Sequence, residues 1–273
     1  MDTVCNIPVA SPTAPDLILD LLVAHGGVLP VLALCRAGSL MGIGQSAVRV
    51  SLTRLASQGK IVRGARGCYA LNLSGPALAR DVDDWGHKGS QTVAWRGHWL
   101  AVQDAGVLRS DKTAWRHHSL ALELRGLAPF QPGLHLRPDN LKGGVTAVRT
   151  QLLDLGLSPQ ALVFRLDGLD PARQAAAREL WQVEALLAEY RRLQKALEQS
   201  GARLKKQKFD IAVRESLLLG RAVIAQLIRD PLLPPELMPP EARLALVQKM
   251  REYQREALAL WRSWMALPDE RPA

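Results

Sequence analysis

Seven basic side chains, Arg36, Arg49, Arg54, Lys60, Arg63, Arg66 and Arg80, lie between Asp20 and Asp81 with no carboxylate among them. A surface that meets a nucleic-acid backbone gains from arginine and lysine and is repelled at every acid. Within this stretch Ser46, Arg49, Thr53 and Arg54 are spaced to share one side of a helix. Arginine can donate two parallel hydrogen bonds to guanine O6 and N7, and short hydroxyls reach phosphates or base edges. Lys60, Arg63 and Arg66 follow on a segment that reads as a β-hairpin, placed for phosphate or minor-groove contact. Asp81, Asp83 and Asp84 then arrive together and end the acid-free stretch.

Other chemistries find less support. Of six histidines, His117 and His118 are adjacent, so a helix points them about 100° apart and they share no metal easily. There is no HExxH and no His/Cys/Asp group at ligand spacing, so no metal is expected. Cys5, Cys35 and Cys68 are odd in number and form no CxxC pair, which argues against a disulfide framework or a zinc site. Gly42-Ile-Gly44-Gln-Ser-Ala47 fits the GxGxxA dinucleotide pattern. It follows a helix-like stretch instead of a strand, however, and no acid stands about 20 residues on. Lys142-Gly-Gly144 lacks the order of a P-loop, and GxSxG does not occur. No catalytic residue and no cofactor are assigned, and the chain is expected not to be an enzyme.

The elements that must position the basic residues follow from periodicity. Asp16 can cap a helix to about His25, closed by Gly26-Gly27. Pro30 suits the first turn of a second helix running to about Gly38. After the turn Ser39–Gly44, a third helix spans Gln45–Gln58 and stops at Gly59. On that helix Val48, Leu52 and Leu55 fall within about 60° of one another and can pack inward. Ser46, Arg49, Val50, Thr53, Arg54 and Ser57 take the opposite side. Lys60–Arg63, a Gly-Ala-Arg66-Gly turn and Cys68–Asn72 make the hairpin. The order predicts a winged helix-turn-helix over residues 16–80 that binds duplex DNA, preceded by a flexible arm, 1–15, with three prolines.

Residues 90–168 read as a small α+β domain. Strands at Trp95–Val102, Gly133–Arg137 and Ala161–Leu166 alternate with helices at Lys112–Leu124 and Asn140–Leu155, ferredoxin-like in outline. From Pro171 to Ala266 the pattern is helical, with amphipathic runs at Ala172–Gln199, Phe209–Arg229 and Glu241–Ala266 suited to core or dimer contacts. Arg203-Leu-Lys-Lys-Gln-Lys208 reads as a solvated turn. The chain of 273 residues has 35 Lys and Arg against 26 Asp and Glu, net +9, which favours a polyanionic partner. It shows neither a signal peptide nor a membrane-length apolar run, so a reducing, cytoplasmic setting is expected.

Five stretches stand out together: Ala47-Val-Arg-Val-Ser-Leu-Thr-Arg-Leu55 with Gln58-Gly-Lys-Ile, the Arg/Gly hairpin ending in Tyr69-Ala-Leu, Leu124–Asp139, Glu179-Leu-Trp-Gln with Tyr190, and Arg229-Asp-Pro-Leu-Leu-Pro-Pro-Glu-Leu-Met-Pro239. With them the sequence resembles the PaaX family of bacterial transcriptional repressors of aromatic-acid catabolism. The matches run in family order over about residues 16–245. The sequence departs from the family pattern at Ala222-Val-Ile-Ala225, where a His-x-aromatic-Arg element is expected, and at Pro240-Glu-Ala, where the family has Trp-Pro-Gly.

The resemblance implies a middle domain similar to the Cas2 fold and a helical effector and dimerisation domain at 171–266. It also implies a small effector, an aromatic acid or its CoA thioester. A repressor reading two half-sites is expected to be a homodimer. The rival expectation is a Cas2-like, metal-dependent nucleic-acid-processing enzyme with a winged-helix module. That would need paired carboxylates, and the middle segment offers only the scattered Asp104, Asp111, Glu123, Asp139 and Asp154.

Overall fold

A computed structural model describes residues 2–72 and 85–267 of this mixed α+β protein. Arg80, the Asp81, Asp83 and Asp84 group, and the end of the predicted 16–80 domain lie outside the described residues. The first elements are strands β1 (Asp2–Val4) and β2 (Ile7–Val9), helix α1 (Ala14–His25), β3 (Leu29–Pro30), helices α2 (Val31–Leu40) and α3 (Gln45–Ser57), and strands β4 (Ile61–Arg63) and β5 (Cys68–Leu71). There follow β6 (Trp99–Gln103), α4 (Lys112–Leu124), β7 (Ala128–Gln131), β8 (Leu134–Pro138), α5 (Gly144–Asp154) and β9 (Leu162–Leu166). Helices α6 (Pro171–Arg178), α7 (Val183–Leu204), α8 (Phe209–Ile228) and α9 (Glu241–Ala266) close the chain. No helix among the described residues is long and apolar enough to cross a membrane.

The chain divides into two compact units, each discontinuous in sequence. One takes residues 1–75, 191–225 and 245–273; the other takes 76–190 and 226–244.

In the first unit β1 and β2 pair antiparallel through a two-residue turn, with Cys5 and Asn6 both at positive φ, as a tight hairpin turn requires. Ile7 and Val9 are buried, so apolar burial holds residues that composition alone reads as part of a loose arm. Thr13, not Asp16, is the N-cap of α1. Asp16 instead completes a capping box, its carboxylate accepting from the Thr13 backbone N–H at 3.2 Å, which satisfies N–H groups that the helix start leaves without partners. Leu17, Ile18, Leu21 and Leu22 are buried along α1.

Helix α2 runs past Gly38 to Leu40. Gly38 is a close-approach position: a Cβ there would lie 2.7 Å from Val48 Cγ2 of α3 and 3.2 Å from the Ile43 carbonyl oxygen. Helix α3 ends in a Schellman motif, in which Gly59 at φ +66° donates to the Ala56 carbonyl and Lys60 to that of Leu55. A three-stranded antiparallel sheet in the order β3-β5-β4 follows.

The second unit is built on a four-stranded antiparallel sheet in the order β7-β8-β6-β9, with α4 between β6 and β7 and α5 between β8 and β9. Strand β6 alternates Leu100 and Val102 toward one core with Trp99 and Ala101 toward another, so both faces of the sheet are covered. Leu122, Val148, Leu152 and Val163 join the first core. Trp95, Leu136 and Trp181 join the second, where Trp181 stacks on Trp99 with ring centroids 6.3 Å apart. Strand β7 is absent from the periodicity reading, because Pro129 and a register shift between Pro129 and Gln131 break its alternation.

Beside this sheet lies a buried polar network. The Asp230 carboxylate accepts from the Tyr190 hydroxyl at 2.8 Å, from Arg243 Nε at 2.9 Å and from the Leu232 N–H at 2.7 Å. Arg137 donates to the Arg125 carbonyl and to Asn140 Oδ1, and Asn140 donates on to the Leu232 carbonyl at 2.8 Å. Lys88 donates to the carbonyls of Leu124 and Ile228. Gly126, at φ +67°, lets Pro231 approach: a Cβ there would lie 2.6 Å from the Pro231 Cα. The stretches 124–139 and 229–239, far apart in sequence, therefore meet as one structural joint.

Candidate nucleic-acid interface

Helix α3 separates its residues by burial. Val48, Ser51, Leu52 and Leu55 face inward, and α3 lies against α1, α2 and β4. Ser46, Arg49, Thr53 and Arg54 are all exposed. At 100° per residue the outermost ridge is Ser46, Val50, Thr53 and Ser57, with Arg49 and Arg54 on its two flanks, about 140° apart. The helix was legible because its apolar spacing is clean.

The state of the hydroxyls was not legible. Thr53 Oγ1 donates to the Arg49 carbonyl at 3.3 Å and Ser57 Oγ to the Arg54 carbonyl at 2.9 Å. Each has committed its one proton to the helix backbone, so outward it offers lone pairs and carbon.

The hairpin carries the other three cations. Lys60 is half-buried where α3 ends, Arg63 is exposed at the end of β4, and Arg66 is exposed between the strands. Strands β4 and β5 pair Ile61 with Leu71 and Arg63 with Tyr69. Arg66 sits at φ 54°, ψ 32°, a left-handed conformation that costs a non-glycine residue about 1–2 kcal/mol. Among the described residues no carboxylate pairs with Arg49, Arg54, Lys60, Arg63 or Arg66.

The two acids of α1 are committed elsewhere: Asp20 pairs with Arg221, which also lies 4.0 Å from Asp16. Arg36 is engaged too. It donates to the Leu267 carbonyl at 2.6 Å and lies 4.4 Å from the centre of the Trp264 ring. Of the later basic cluster, Arg203 is held by Glu215 at 2.8 Å.

Titratable side chains also gather in the second unit. His118 Nε2 and His135 Nε2 lie 3.0 and 3.2 Å from the same oxygen of Asp104. His118 Nδ1 accepts the Ser158 N–H at 3.1 Å. Its one proton therefore sits on Nε2, and that nitrogen has no lone pair to give a metal. Burial lowers the pKa of His135, and the Asp104 charge partly opposes the shift. Among the described residues, no group of three His, Cys, Asp or Glu is placed to hold a metal ion.

The fold has a counterpart of known structure. An uncharacterized protein, Rv0674, from Mycobacterium tuberculosis is similar with a TM-score of 0.58 and 23% identity, over 93% of this chain and 99% of that one. No curated protein matches the chain. Residues 16–75, which supply α1, α2, α3 and the β4–β5 hairpin, match the family described as PaaX-like protein, the family that the sequence motifs resemble.

Proposed function

We propose that this chain is a DNA-binding transcription regulator, a homodimeric repressor released from its operator by a small effector. One observation carries the reading: α3 presents Ser46, Arg49, Thr53 and Arg54 to solvent, Lys60, Arg63 and Arg66 follow on the adjoining hairpin, and no described carboxylate neutralises them. In this reading residues 16–72 form a winged helix-turn-helix, with α3 as the groove-reading helix and β4–β5 as the wing. The PaaX-like match over the same residues supports it. The second unit reads as ferredoxin-like, supported by its β-α-β-β-α-β order and antiparallel sheet.

An effector of the aromatic-acid or aromatic acyl-CoA class follows from the family resemblance, while the segment 171–266, expected as one effector and dimerisation domain, is divided between the two compact units. The protein acts by binding, in the cytoplasm, and not as an enzyme. Fluorescence anisotropy on duplex DNA across a salt series tests the central claim. Each phosphate neutralised contributes about −0.9 to the slope of log affinity against log salt, so a steep negative slope is expected and a slope near zero overturns the reading. A thermal-shift screen of aromatic acids and their CoA esters tests the effector: a ligand that raises Tm and also releases DNA is the expected result.

A further inference from the structure

The cations of α3 do not occupy its outermost ridge. Val50 does, at 68% exposure, more than any other large apolar side chain among the described residues of its unit. A single exposed valine is ordinary on a protein surface, but this one sits in a particular setting. Thr53 is its i+3 neighbour, with Cβ atoms about 5–6 Å apart, and the Thr53 proton is committed to the Arg49 carbonyl. The centre of the ridge thus presents the Val50 methyl groups and the carbon and acceptor lone pairs of Thr53, with no free hydroxyl proton between them, an arginine on either flank and no acid near it in sequence. A β-branched residue is also a poor choice for an exposed helix position, because its χ1 freedom is lost against the preceding turn. At this exposure valine adds little to the stability of the fold beyond what alanine would.

We infer that Val50, with the Thr53 methyl beside it, reads a thymine through its C5-methyl group in the major groove, while Arg49 and Arg54 hold the helix from either side. The major groove displays that methyl on thymine and on no other standard base, and apolar side chains are what recognise it. Two arginines flanking the ridge within a stretch free of carboxylates suit a polyanion, and duplex DNA offers both phosphates to the arginines and a methyl group to the valine. The inference rests on the DNA-binding reading above and assigns one position of its specificity.

The test begins with duplexes enriched from a random pool by the full chain. A thymine is expected at one fixed position of each half-site. Replacing it with deoxyuridine removes only the methyl group, and the affinity of the unaltered protein should fall about fourfold, the effect of one buried methyl. Val50→Ala, which keeps the Thr53 methyl, should discriminate the thymine from the uracil duplex less than the unaltered protein does, and the exposure of Val50 leaves folding intact. If no duplex is enriched, the DNA-binding reading falls and this inference with it. If duplexes are enriched but uracil is tolerated at every thymine, or Val50→Ala discriminates as before, only the Val50 assignment falls.

Discussion

Two arginine-rich regions of this protein use the same residue type in opposite ways. On α3 and the β4–β5 hairpin, Arg49, Arg54, Arg63 and Arg66 stand exposed, without a described carboxylate partner. In the second unit Arg137 and Arg243 are buried, with their donors directed at carbonyls, Asn140 and Asp230. Burial, with Arg125 close by, lowers the Arg137 pKa to about 9. The same burial, with Asp230 adding to it, pushes the Tyr190 phenol far above its ordinary value. An exposed guanidinium keeps its hydration and remains available to an incoming phosphate. A buried one has already exchanged water for protein, so removing its partner damages the fold. Position relative to the core therefore decides which arginines can work on a ligand.

The most forceful way to break this contrast is Asp230→Ala. It leaves Arg243 and Tyr190 buried without their acceptor, and denaturant unfolding should show a loss of about 3–5 kcal/mol. An unchanged midpoint would mean the joint carries no structural weight. Gly38→Ala forces Val48 and the Ile43 carbonyl away from the α2–α3 crossing, for about 1–3 kcal/mol of stability, and it should weaken DNA binding by displacing α3. Binding that stays intact in a destabilised variant would separate the two effects.

Arg49→Ala should do the reverse: stability unchanged within about 0.5 kcal/mol, but specific DNA binding weaker by about 1–3 kcal/mol if it reads a base. Unaltered affinity in a titration sinks that role. Arg63→Ala and Arg66→Ala should each lower the salt slope by about 1 with little effect on sequence preference. The smallest effect belongs to His135. Its folded pKa lies below the ordinary 6.5, so the unfolded chain takes up the proton more readily and stability falls as pH drops through that value. In His135→Gln this part of the pH dependence of Tm should flatten; an identical profile refutes it.

The elements that carry the candidate interface were legible in the sequence because each signal there is local. The inward spacing of Val48, Leu52 and Leu55 defines α3, Gly59 stops it, and an acid-free basic stretch needs no tertiary knowledge to recognise. The resemblance-bearing segments around Gly126, Arg137, Tyr190 and Asp230 were equally visible as motifs, but not as what they are. Their roles depend on contacts across up to about a hundred residues of chain, which periodicity does not encode. The stretch 229–239, for example, is held by Asp230, whose carboxylate accepts from Tyr190, Arg243 and the Leu232 N–H.

By itself, then, the sequence determined where the helices and the charge lie, since 3.6-residue spacing and the absence of carboxylates are properties of the chain. Only the tertiary structure decided which cations are already engaged: Arg36 turned to Trp264, Arg203 to Glu215 and Arg137 to the interior, while Arg49 and Arg54 stayed outside without a described carboxylate partner. It also left Val50, which the helix period already sets on the crest of α3, 68% exposed. The reason is physical: a side chain's availability depends on who its neighbours are, and those neighbours are fixed only when distant segments pack.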